Sequence, residues 1–132
     1  MIATADRRRL DVPVERLDVS AYEIPTDEPE SDGTLEWDST TIVVVEAHAG
    51  QTTGLGYTYA PAAAGKLVEE KLADEVSGAD ALAPAEAYEQ LGRALRNAGR
   101  PGIGAMALSA VDTALWDLKA RQIGRASCRE RV

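Results

Sequence analysis

A single cysteine, Cys128, leaves the chain without a partner for an internal disulfide, which fits a reducing compartment. Positive charge is also scarce: 14 Lys and Arg against 22 Asp and Glu give a formal charge of −8 and a pI near 4.6. An acidic surface repels phosphate backbones and anionic lipid, which excludes nucleic acid and membrane surfaces as partners. No apolar run approaches the roughly 20 residues that a bilayer span requires. Arg7, Arg8 and Arg9 stand near the N-terminus, but a polar stretch follows them where a secretory signal needs an apolar core. The expectation from these absences is a soluble, cytoplasmic protein.

What is present suits one domain. Apolar residues make up 45% of the 132, enough for a packed core in a chain too short for two ordinary domains. There is no internal repeat and no low-complexity tract. Residues 1–13 read as a polar leader and 14–122 as the domain proper. The last ten, 123–132 (IGRASCRERV), break the composition with Arg125, Arg129, Arg131 and the lone cysteine. Without them the chain has 11 basic and 21 acidic residues, a balance of −10. The string resembles the translation, in one frame, of a common short-read sequencing adapter that runs into a stop codon. On that reading the tail is an artefact, the gene is truncated, and Cys128 carries no biology. A natural basic tail is the alternative.

Three strands and then three helices are expected, an α+β order. Residues 14–24 are rich in β-formers and read as a strand ending at Pro25. Residues 25–39 (PTDEPESDGTLEWDS) read as a long loop, of the kind that carries function. The β-branched run at 40–49 is the strongest strand, and Gly50-Gln51 turns it into a second at 52–59. The period then becomes helical. Residues 62–76 place Leu67, Val68, Leu72 and Val76 on one stripe, with Glu69, Glu70 and Lys71 outside. Residues 84–98 form a second helix between Pro84 and Gly99. In a third, at 104–122, Ala107, Ala110, Val111, Ala114, Leu115 and Leu118 share a broad face whose small residues admit another backbone.

That third helix also carries a resemblance. Its run from Ala107 to Arg121 (ALSAVDTALWDLKAR) resembles the helix signature of the mandelate racemase/muconate-lactonizing group of the enolase superfamily. There the pattern is Ala-x-small-small-aliphatic-acid-x-Ala-Leu-x-acid-aliphatic-x-small-basic, and every fixed position matches. The hairpin TTIVVVEAHAGQTTGLGYTYA is similar to the group's second and third strands, including Gly54-x-Gly56. The resemblance spans 14–122 and implies the N-terminal capping domain: a three-stranded antiparallel meander followed by a helical bundle.

In that group a (β/α) barrel follows, and it is missing here. The resemblance therefore implies no catalytic and no metal-binding residue in this chain. The full-length enzyme would take a proton from the carbon next to a carboxylate. Mg2+ bound by the barrel would stabilise the enediolate, and a base of tuned pKa would accept the proton. The implied substrate is a small carboxylate, a sugar acid first; the implied assembly is a homo-oligomer. The reaction is a hydro-lyase or isomerase reaction, with an acid-sugar dehydratase as the leading reading. A racemase or epimerase and a lactonizing cycloisomerase remain open, as does a non-catalytic α+β binding module. The fragment alone is expected to be inactive.

The capping domain supplies two lid loops that exclude water and read the substrate's far end. The first corresponds to 25–37, where Asp32, Glu36 and Trp37 are the candidates: acids accept hydrogen bonds from hydroxyls, and an indole offers a flat wall. The second corresponds to 57–63, with Tyr57 and Tyr59. Other residues read as structural. His48 shares a strand face with Ile42, Val44 and Glu46. Asp112 and Asp117, five positions apart, cannot face one ligand squarely. Gly54 and Gly56 precede neither a helix start nor a Lys-Ser/Thr, so they are not a phosphate loop.

Overall fold

Alternation of apolar and polar residues builds the sheet. The computed structural model describes residues 12–124; most of the leader, and the tail from Arg125 with Cys128, lie outside the described residues. Strands β1 (Arg16–Ser31), β2 (Glu36–Ala49) and β3 (Thr52–Tyr59) form one antiparallel sheet in the order β1-β2-β3, the expected meander. Along β2, Val43, Val45, Ala47 and Ala49 are fully buried, whereas Ile42, Val44, Glu46 and His48 take the opposite, outer face. Gly50, at φ 58, closes the turn into β3.

The expected loop at 25–39 is instead a paired arm. β1 continues through Pro25, and Glu30 pairs with Trp37 and Ser31 with Glu36, across a register irregularity between Pro25 and Glu30. Two features reconcile a strand with a Pro- and acid-rich sequence. β1 is the sheet's edge, where Pro25 pairs with Ser39, and the irregularity that follows absorbs Pro29; edges and bulges are where a ladder tolerates proline. The acids point into solvent. Gly33, at φ 88, lets the chain reverse at the arm's tip.

The helices cover the inner face. The expected single helix over 62–76 is α1 (Ala62–Leu67) and α2 (Ala73–Val76), joined by a π-helical turn at Val68–Leu72. Val68, Leu72 and Val76 are buried as the stripe required. Helix α3 (Pro84–Ala94) begins with its proline in the first turn. It stops short of Ala98: Leu95 caps it, still in the helical region at ψ −4, and Gly99 reverses the chain at φ 89. A turn at Arg100–Gly104, non-helical at Pro101 and Gly102, leads into α4 (Ala105–Gln122). No helix among the described residues is long and apolar enough to cross a membrane.

The core lies between sheet and helices. Leu72, Leu91, Leu95, Leu115 and Leu118 are its largest fully buried side chains, each stabilising the fold by about 1.5–3 kcal/mol. Helix α4 lies along β3 and closes on it at the glycines. A Cβ built on Gly54 or Gly56 would collide with the backbone of α4 at Ala110, Ala114 and Leu118. Their role is close approach, in line with the small-residue face read from the sequence. Two ties secure the periphery: Val14 exchanges backbone hydrogen bonds with Gly78 and Ala79, and Gln122 Nε2 donates to Ala49 O at 3.1 Å.

Candidate functional site

The strands differ in length, and that difference makes a groove. β3 ends at Tyr59, opposite Ile42, so residues 37–41 of β2 have β1 on one side and no strand on the other among the described residues. The ladder gains one further bond there, from Ala60 N to Thr41 O at 3.2 Å. Beyond it an open groove of about 380 Å³ is lined by Trp37, Ser39, Thr40, Thr41, Tyr59, Ala60 and Pro61. Two aromatic residues, three hydroxyl residues and strand-edge backbone thus line one groove. Such a surface suits a hydroxylated molecule: rings offer flat apolar walls, and the polar groups between them fix orientation.

Of the five candidates, the structure brings Trp37 and Tyr59 together. The Trp37 indole is anchored by donating from Nε1 to Glu30 Oε2 at 3.0 Å. Tyr59 is exposed and meets Tyr57 edge-to-face, ring centroids 5.9 Å apart. Tyr57 lies one outer-face step back along β3, opposite Val44, and does not line the groove. Both tyrosines belong to β3 itself rather than to a loop after it. Asp32 works inside its own turn: Oδ1 accepts from Thr34 N at 2.8 Å and Leu35 N at 2.9 Å. Those bonds hold its carboxyl below the ordinary 3.8. Glu36 is exposed beside it, paired with Ser31.

The sequence reading missed Ser39, Thr40 and Thr41. Composition gives no sign of them, because a free strand edge depends on where the neighbouring strand stops. Ser39 Oγ is already engaged, donating to Glu23 Oε1 at 2.8 Å. The two acids of α4 differ in their surroundings. Asp117 accepts from Arg121 Nε at 2.8 Å and also from Leu55 N at 2.8 Å, clamping β3. Asp112 is half-buried beside Trp116.

Sequence and fold both match a known family. Residues 21–127 match mandelate racemase / muconate lactonizing enzyme, N-terminal domain. The chain belongs to this family. Among solved members it is similar to a mandelate racemase/muconate lactonizing enzyme-like protein from Rubrobacter xylanophilus, at 62% identity and a TM-score of 0.83 over 85% of this chain and 31% of that one. An L-talarate dehydratase from a Polaromonas species, complexed with Mg and L-glucarate, is 28% identical with a TM-score of 0.74, over 85% of this chain and 33% of that one. The 3,6-anhydro-alpha-L-galactonate cycloisomerase of Streptomyces coelicolor is 34% identical over 80% of this chain and 31% of its own length. The chain therefore spans about a third of these relatives. Its mandelate racemase-type relatives include lyases and isomerases of the enolase superfamily, dehydratases and cycloisomerases among them.

Proposed function

We propose that this chain is the capping domain of a magnesium-dependent enzyme that removes the proton next to a carboxylate, an acid-sugar dehydratase before the other reactions. A barrel encoded beyond Gln122 would carry the chemistry. The groove between Trp37 and Tyr59 would read the part of the substrate remote from the reacting carbon. The observation that carries this reading is the meeting of the arm and the β3 exit at one groove lined by hydroxyl and aromatic residues, in a chain of this family.

Charge supports an orientation for the substrate. Residues 25–39 hold six acids and no Lys or Arg. A substrate carboxylate would be repelled there, whereas hydroxyls would find acceptors. The carboxylate end therefore points away from the arm, toward the barrel. The chain's own residues are a poor fit for magnesium. Among the described residues, the one group able to bring three metal ligands together includes an imidazole, whereas magnesium favours an all-oxygen octahedron. No step is assigned to magnesium on this chain. The Streptomyces coelicolor relative favours cycloisomerisation as the second reading.

The test begins with the source gene. The reading frame past Gln122 should continue into a barrel with three acidic residues at strand ends. The full-length enzyme should then dehydrate a sugar acid, and Trp37→Ala and Tyr59→Ala should each lower kcat/KM about tenfold or more. The 132-residue chain alone should turn over none. A frame that ends in RASCRERV, or turnover by the short chain, would overturn the reading.

A further inference from the structure

The outer face of the sheet holds a second cluster, near the β2–β3 turn and away from the groove. Register places Asp18 opposite Glu46, and Arg16, His48 and Thr53 in the adjoining row. One ligand atom each from Asp18, Glu46 and His48 lies within 4.8 Å of the other two. His48 Nε2 is 2.9 Å from Asp18 Oδ2. The approach is not aligned as a hydrogen bond, and Nε2, shielded from solvent, makes none elsewhere. The other ring nitrogen, Nδ1, lies 3.0 Å from Thr53 Oγ1. With Nδ1 donating its proton to that hydroxyl, Nε2 keeps a free lone pair beside Asp18. Metal-ligating histidines are oriented in this way, by a hydrogen bond from the nitrogen that does not bind the metal.

We propose that Asp18, Glu46 and His48 form a binding site for a divalent first-row transition metal, zinc foremost. One imidazole and two carboxylates are a borderline donor set, suited to zinc or cobalt and ill suited to magnesium. Bonds of 2.0–2.2 Å to tetrahedral zinc put donors roughly 3.4 Å apart. The present spacings lie within 4.8 Å, and Asp18 and Glu46 are exposed on the open side of the sheet. Solvent supplies the fourth position. Arg16 is the resident competitor: its Nε lies 3.3 Å from both Asp18 oxygens. The site departs from the expectation that His48 is purely structural. Its missing ligand, Asp18, lies on another strand.

The test uses the 132-residue chain with Cys128→Ser, so that no thiol competes. Zinc is titrated by calorimetry and Co2+ by visible absorption, with far-UV circular dichroism confirming the fold of each variant. One-to-one binding is expected, with the d–d bands of low-coordinate cobalt. Glu46→Gln and His48→Gln should each weaken it by roughly tenfold or more, and Thr53→Val by about tenfold through loss of orientation. Arg16→Gln should tighten it. Absence of saturable one-to-one binding, or affinity unchanged in both Glu46→Gln and His48→Gln, would overturn the proposal and leave the trio an ion-pair ladder.

Discussion

Gly56 of β3 lies so close against Ala114 of α4 that a Cβ on the glycine would stand 2.6 Å from the alanine's amide nitrogen and 3.1 Å from its Cβ. Gly54 repeats the relationship one helical turn later, at Leu118. Two residues of strand advance roughly 6.6 Å and four of helix roughly 6 Å, so strand and helix stay in step. Gly56→Ala should therefore lower the unfolding free energy by about 3 kcal/mol, as overpacking against an immovable backbone does. Urea unfolding of the full chain measures this, with the slope unchanged. An unaltered midpoint would mean that α4 does not seat on β3 as described.

Asp117 holds the same seam from the side. Its Oδ2 takes both the Leu55 amide and the Arg121 guanidinium. Asp117→Ala leaves that amide without its partner, a loss of about 1–2 kcal/mol. Arg121→Ala removes only an ion pair whose arginine is largely in solvent and should lose less than about 1 kcal/mol. Equal losses in the two variants would assign the stabilisation to the ion pair and not to the strand contact.

Legibility in the sequence followed the length over which a physical signal repeats. The alternation of β2 and the small-residue face of α4 repeat many times, and the buried sets Val43, Val45, Ala47 and Ala110, Ala114, Leu118 fall where periodicity puts them. The arm had no such repeat. Pro25, Pro29 and the acids read as a loop, because pairing of Glu30 with Trp37 rests on a register irregularity that leaves no trace in composition. Trp37 and Tyr59 could be named as candidates, but their meeting depends on β3 stopping at Tyr59. The Asp18–His48 contact was hidden for a similar reason. Only the register between strands makes neighbours of residues so far apart in sequence.

The turn at the arm's tip should show itself in acid. Backbone hydrogen bonds from Leu35 and Thr34 lower the Asp32 pKa, so its stabilising contribution is present above the unfolded value of 3.8 and is lost as pH falls through the lower folded value. Followed by NMR, the amide protons of Thr34 and Leu35 should titrate together, with a midpoint below 3.8. Asp32→Asn should abolish that titration while leaving the core resonances unchanged. A midpoint at or above 3.8 would mean that the turn is not closed by this carboxylate.

Asp112 should behave in the opposite sense. It sits in a hollow of about 290 Å³ with Ala85, Tyr88, Glu89 and Trp116. Burial pushes its carboxyl above the ordinary 3.8, and the hydrogen bond with Trp116 offsets only part of that rise. The native state therefore holds this proton more tightly than the unfolded chain does. Its contribution is most favourable below 3.8, declines as pH rises toward the native value, and stays diminished above it. Asp112→Asn removes the charge at nearly constant volume and keeps an acceptor for the indole. The variant should be more stable than the parent at pH 7, by less than about 1 kcal/mol because the group is only partly shielded. The gap should close as the pH approaches 3.8. Urea unfolding of both proteins across that range decides the matter: a gap independent of pH would assign the effect to packing instead of to the buried charge.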